Sequence, residues 1–162
     1  MSTTITQRIT PFLWYDGQAE EAANFYVSIF KNSTMGTITR YGDTGPGPKG
    51  SVMTVNFTLD GQEFVALNGG PQFPFTEAVS FMVNCASQEE VDYYWEKLSA
   101  GGKEVQCGWL QDKFGLSWQI VPTEFFKLIS KGTQEEQDRV MAAMMKMVKM
   151  DLAKLKQAYN GN

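Results

Sequence analysis

The predicted secondary-structure elements run through the same series twice. This repeat limits the possible folds of the chain more than any other sequence feature. A strand, a helix and three strands occupy residues 9–14, 18–30, 35–41, 51–59 and 62–68. The series restarts about 70 residues later, with strand 78–85, a helix capped by Ser87, and strands 104–107, 109–111 and 116–121. Either half alone has little core and an open sheet edge, so we expect the halves to pair.

Residues 51–59 carry the clearest alternation. Apolar side chains face one way (Met53, Val55, Phe57 and Leu59) and polar ones the other (Thr54, Asn56 and Thr58). Asp60-Gly61 then predicts a two-residue hairpin turn.

Beyond Pro122 the pattern becomes helical. We predict helices over 123–130 and 134–149, the second capped by Thr133 with Glu136 completing a capping box. A last helix follows, capped by Asp151. Five methionines between 141 and 150 form either an adaptable binding surface or, more simply, core and dimer interface.

Composition narrows the function classes. The hydrophobic fraction of 43% supports a real core, and the net charge of -4 disfavours nucleic-acid binding. No stretch approaches the roughly 18 apolar residues that cross a bilayer. The two cysteines form no disulfide framework and follow no signal peptide, so we expect a cytoplasmic protein with free thiols.

The absence of histidine removes the commonest general base and the commonest neutral metal ligand. A Ser-His-Asp or Cys-His site is therefore excluded. Cys107 is either a reactive thiol or a buried structural residue, and no histidine is present to activate it. Asp112 is either a general base or a turn residue that binds its own backbone.

Three segments carry a family pattern: 19–26 (AEEAANFY), 66–71 (ALNGGP) and 107–119 (CGWLQDKFGLSWQ). Together they closely resemble the PhnB-like branch of the glyoxalase/vicinal-oxygen-chelate superfamily. Members of this branch are often described as 3-demethylubiquinone-9 3-methyltransferases. The resemblance covers about residues 8–159. It implies an α+β fold of two βαβββ modules, 8–72 and 73–122, that form an open eight-stranded barrel of the glyoxalase/bleomycin-resistance type, plus a helical extension, 123–159. It also implies a cavity on the concave side of the sheet and a homodimer.

Metal-dependent relatives hold a cation from four strand positions. The resemblance places these at Thr10 or Pro11, at Ala66 with Asn68 nearby, at Ser80 and at Gln119. One amide and one hydroxyl are poor ligands for Zn²⁺, Ni²⁺ or Fe²⁺. We therefore expect no tightly bound metal and no cofactor.

The same positions can still line a ligand pocket. Our candidate binding residues are Trp14, Thr54, Asn56, Ser80, Trp118 and Gln119. The simpler alternative is that the polar ones only face water. We predict a protein that binds a small, partly apolar molecule. The alternative is a glyoxalase-like lyase, isomerase or transferase, and it includes the methyl transfer in the family's description. In such an enzyme the residues that act on the substrate would be Gln119, Ser80, Asp112, or Glu63 with a perturbed pKa.

Overall fold

The computed structural model describes residues 3–162, and its elements follow the predicted order. The first compact unit, which ends at Pro74, contains β1 (Phe12–Tyr15), α1 (Ala19–Ile29), β2 (Thr34–Arg40), β3 (Val52–Leu59) and β4 (Gln62–Asn68). The second unit, Phe75–Asn162, contains β5 (Ser80–Cys85), α2 (Gln88–Ser99), β6 (Lys103–Glu104), β7 (Trp109–Gln111), β8 (Ser117–Pro122), α3 (Thr123–Ser130), α4 (Gln134–Met144) and α5 (Leu152–Asn160).

Each unit contains one mixed four-stranded sheet. The strand orders are β1-β4-β3-β2 and β5-β8-β7-β6. In both sheets the first pair is parallel and the others are antiparallel. The predicted α+β class and both βαβββ modules are therefore confirmed. The eight strands are paired in two separate sheets, however, and not in one hydrogen-bonded barrel.

Helix α1 covers one face of the first sheet. Its residues Ala19, Ala22 and Ala23 are fully buried, because small side chains let the helix backbone approach the strands. Tyr26 stacks on Phe57 with ring centroids 6.2 Å apart. This aromatic packing fixes which face of the sheet contacts the helix. The opposite face of the sheet is not covered by α1.

The alternation predicted for β3 is confirmed. Val55, Phe57 and Leu59 are buried, whereas Asn56 on the other face is exposed. The hairpin that follows turns at Asp60 and Gly61, whose φ angles of 45° and 81° are both positive. Such angles are those of the turn that matches strand twist, and glycine adopts them without strain.

Helix α2 covers one face of the second sheet. Its buried side chains are Val91, Trp95 and Leu98. The indole N–H of Trp95 donates to Glu104 Oε1 at 2.6 Å, which ties the short strand β6 to the helix. The Ser87 cap is confirmed, because its side chain accepts from the N–H of Glu90.

The predicted helix 134–149 is too long, since α4 ends at Met144. The N–H groups of Cys107 and Gly108 each donate, at 2.8 Å, to the carbonyls of Met147 and Val148. These bonds tie the turns and bends after α4 to the segment that precedes β7. The predicted caps at both ends of this region are confirmed: Thr133 forms a capping box, and Asp151 accepts from Lys154 N–H.

The C-terminal helices close a second core around Val121, Phe125, Val140 and Leu155. The methionine segment is divided, since Met144 and Met150 belong to this core. Met141 and Met145 are instead exposed. No helix within residues 3–162 combines the length and apolar character needed to cross a bilayer.

The two thiols differ in their surroundings, and we expect them to differ in reactivity. Cys85 is fully buried, and burial raises its pKa to about 12. Cys107 is partly exposed, with its Sγ 4.0 Å from Met145 Sδ. A disulfide-exchange reagent at mildly alkaline pH should modify Cys107 alone, because the thiolate is the reactive form. Both thiols should react after unfolding in guanidinium. Rapid reaction of both thiols in the folded protein would contradict this assignment.

Candidate functional site

The face of the first sheet opposite α1 carries three of the predicted binding residues. Strand register aligns Trp14 with Leu67, Leu67 with Thr54, and Thr54 with Thr39 in one row across the four strands. The next row contains Phe12, Val65 and Asn56. We call these two rows the first open face. Phe12, with 58% of its surface exposed, shows that apolar area on this face meets solvent within the unit.

Trp14 is held rigidly on the first open face. Its indole N–H donates to the Gly70 carbonyl at 2.8 Å, and the ring meets Phe73 edge to face, with centroids 4.9 Å apart. A Cβ at Gly69 would lie only 2.3 Å from the indole, so glycine is required for this close approach. The structure thus provides a preformed aromatic wall.

The polar side chains on this face differ in how far they are available to bind a ligand. Thr54 and Thr39 share a hydroxyl–hydroxyl bond of 2.5 Å, so one polar bond of each is already used. Asn56 is exposed. An amide beside Phe12 and Val65 is the kind of isolated polar anchor that small-molecule sites use.

The second sheet has a corresponding face opposite α2. The amide of Gln119 donates to Ser80 Oγ at 3.0 Å, so the structure brings these two predicted residues together. Register places Met82 and Trp109 on either side of Gln119. We call the side of the sheet that carries Ser80, Met82, Trp109, Gln111 and Gln119, together with the fully buried Ser117, the second open face.

Trp118 does not lie on this face. It is 3% exposed, packs beside Phe81 with ring centroids 5.7 Å apart, and lies on the α2 side of β8. Side chains alternate along a strand, so Trp118 and Gln119 must point in opposite directions. Its indole N–H donates to Asp112 Oδ2 at 2.9 Å, which stabilises this orientation.

Asp112 has the turn role rather than that of an exposed base. Its Oδ1 accepts from the N–H groups of Phe114 and Leu116, at 2.9 and 3.1 Å. The residue is 3% exposed. Three donors surround a carboxylate that solvent scarcely reaches, so its geometry serves the β7–β8 connection.

Several side chains at the positions that the resemblance assigned to a metal have other contacts in this structure. Ala66 is fully buried beneath α1. Asn68 uses its Oδ1 to accept from Ala19 N–H and its Nδ2 to donate to the Val52 carbonyl. Ser80 and Gln119 are bonded to each other. Across residues 3–162, no three acidic or thiol side chains are placed to hold a metal ion.

A cleft of about 420 Å³ lies elsewhere in the first unit. It lies beside the start of α1 and is lined by Asp16, Glu20, Tyr41, residues of the 46–48 loop, and Asn68. The loop folds onto the Tyr41 ring, where a Cβ on Gly47 would collide at 2.3 Å. The sequence indicated only a flexible breaker here, because no local pattern predicts such packing.

Sequence comparison identifies the family. Residues 7–121 match the family described as 3-demethylubiquinone-9 3-methyltransferase. The chain belongs to this PhnB-like family. A PhnB protein from Bacillus cereus is 41% identical and has a TM-score of 0.66, with 72% of this chain and all of that chain covered. No curated protein matches the chain.

More distant structures share the fold of this PhnB-like chain. A protein from Pseudomonas aeruginosa, 22% identical, has a TM-score of 0.59 over 71% of this chain and 96% of that one. The fosfomycin resistance protein FosX from Listeria monocytogenes, solved with Mn(II) and sulfate, is 18% identical. Its TM-score is 0.51 over 82% of this chain and 97% of that chain. At these identities the likeness shows the glyoxalase-type fold.

Sequence reasoning missed Ser117 and Gln111 on the second open face. Register pairs Ser117 with both Ser80 and Gln111. Alternation from Gln119 could have revealed Ser117, because residues two apart share a face of a strand. Gln111 required the strand register, which no sequence pattern gives.

Proposed function

We propose that this PhnB-like protein binds a small, partly apolar molecule against the open faces of its sheets, without a tightly bound metal. The observation that carries the proposal is the chemistry of these faces. The first face presents the exposed side chains of Phe12 and Asn56 in one cross-strand row. The second presents the exposed Met82 as the cross-strand neighbour of Gln119. A few polar anchors on an apolar wall are typical of small-molecule sites.

The donor chemistry supports binding without a metal. FosX was solved with Mn(II). In this chain, the Gln119 amide donates to Ser80 Oγ, and Asn68 Oδ1 accepts from Ala19 N–H at the start of α1. Neutral amide and hydroxyl oxygens are weak ligands for transition metals.

Methyl transfer, the activity in the family's description, has less support. Enzymes that use S-adenosylmethionine commonly place a glycine-rich turn after the first strand of a doubly wound parallel sheet. Here β1 is followed by a short turn at Asp16 and Gly17, and both sheets are mixed. The arrangement therefore favours binding over methyl transfer.

Heteronuclear NMR during titration with ethylbenzene tests the proposal. We expect the signals of Phe12, Asn56 and Met82 to shift in a saturable manner. Shifts confined to Glu20 and Tyr41, which line the cleft beside α1, would contradict binding on the open faces.

A matched pair of variants strengthens the test. Phe12→Ala should weaken binding to the first open face by about threefold or more, because the side chain offers exposed apolar area. Tyr93→Ala, which removes a 40%-exposed aromatic ring from α2, should leave binding unchanged. Equal effects of both variants would indicate nonspecific adsorption.

A further inference from the structure

We propose that the second open face selects ligands with an uncharged hydroxyl or carbonyl oxygen, and that Ser117 is the anchor for this oxygen. The inference rests on the proposed function and adds the chemical class of the ligand. It concerns one sheet only, and it follows from a buried hydroxyl that lacks a partner.

Ser117 is an unusual residue in this protein. It is fully buried, and its Oγ has no hydrogen-bond partner within residues 3–162. A buried hydroxyl without a partner carries a desolvation cost, so native proteins contain few of them. A functional need for the hydroxyl is one physical reason to retain it.

Strand register places Ser117 within a continuous polar row. Ser80, Ser117, Gln111 and Lys103 are successive cross-strand partners on β5, β8, β7 and β6. The neighbouring row contains Met82, Gln119 and Trp109. A ligand can therefore lay an apolar body over Met82 and Trp109 while its oxygen points toward the polar row.

The charges around the row favour a neutral ligand. Gln111 Nε2 donates to Glu77 Oε1 at 2.6 Å, which places a carboxylate near one side of the row. Lys103, the cross-strand partner of Gln111, places a cation at the end of the row. A carboxylate at one side of the row and a lysine at its end carry opposite charges, so neither a carboxylate nor an ammonium ligand gains a clear advantage.

The Gln111–Glu77 bond lies on the strand next to Ser117. It is exposed to solvent, so it can be exchanged for water or ligand at little cost. Gln111 and Ser117 are direct cross-strand neighbours. The proposal requires the Gln111 amide to turn away from Glu77 when a ligand oxygen reaches the buried Ser117 hydroxyl.

Two probes that differ only in one hydroxyl group test the selection. Para-ethylphenol should bind the second open face at least about fivefold more tightly than ethylbenzene, which corresponds to one net hydrogen bond. In Ser117→Ala this ratio should fall to near unity, while the affinity for ethylbenzene stays the same. Para-ethylbenzoate should not bind more tightly than the phenol.

Stability supplies an independent readout. Removal of a hydroxyl that lacks a partner should raise the melting temperature of Ser117→Ala by roughly 3 °C. Ser28→Ala is the control, because the Ser28 hydroxyl bonds the Phe25 carbonyl on an exposed part of α1. It should not alter the preference for the phenol.

The possible outcomes separate this inference from the proposed function. Two results would overturn the role of Ser117 alone. One is equal binding of ethylbenzene and para-ethylphenol to the open faces in wild type. The other is a preference for the phenol that survives in Ser117→Ala. Failure of both probes to bind either sheet would overturn both proposals. A Ser117→Ala protein that is more stable and has lost the phenol preference is the result we expect.

Discussion

Asp112→Ala should destabilise the protein by about 3–5 kcal/mol, because several buried donors lose their acceptor together. The carboxylate accepts from the N–H groups of Phe114 and Leu116 and from the Trp118 indole. All three bonds lie at the β7–β8 connection, so their loss should also loosen the packing of Trp118. Urea unfolding followed by tryptophan fluorescence measures the change.

Two further variants sharpen this prediction. Asp112→Asn keeps one carbonyl oxygen but can set an amide N–H against the indole N–H. Its loss of stability should therefore lie between that of wild type, which is zero, and that of Asp112→Ala. Asp138→Ala removes an exposed carboxylate that accepts from Gln134, and should change stability by less than about 0.5 kcal/mol. Near-wild-type stability of Asp112→Ala would contradict the structural role and restore Asp112 as a candidate base.

Asn68→Ala should destabilise the protein by about 2 kcal/mol, because one amide joins three elements. Its Oδ1 accepts from Ala19 N–H at the start of α1, and its Nδ2 donates to the Val52 carbonyl at 3.1 Å. Asn68→Asp keeps the acceptor for the helix and loses the donor to β3. It should therefore lose about half as much stability as Asn68→Ala. Thermal unfolding measures both variants.

Ligand binding distinguishes this role from that of a ligating residue. The first open face lies opposite α1, whereas Asn68 bonds to α1 itself. Asn68→Asp should therefore bind ethylbenzene with unchanged affinity at temperatures where it is folded. Loss of binding without loss of stability would contradict the assignment.

The elements could be predicted because their signals are local. The alternation in β3, the Asp60-Gly61 turn and the Thr133 capping box each depend on residues close together in sequence. The end of α4 depends instead on bonds from Cys107 and Gly108, some 40 residues earlier, which no local pattern contains.

The candidate site was predictable only as far as alternation allows. Thr54 and Asn56 lie on the open face because Val55 and Phe57 occupy the core. Trp118 and Gln119 were both proposed for one face, although they are adjacent on β8 and alternation sends them to opposite faces. The importance of Ser117 could emerge only from the structure, since an absent hydrogen bond has no sequence signature.

Metal-independent binding of a small molecule is the central claim, and calorimetry tests it most directly. Para-ethylphenol would be titrated into the freshly purified protein before and after dialysis against a chelator. We expect saturable binding with the same affinity and stoichiometry in both samples. Binding that disappears after chelation and returns when Mn(II) is added would contradict the claim.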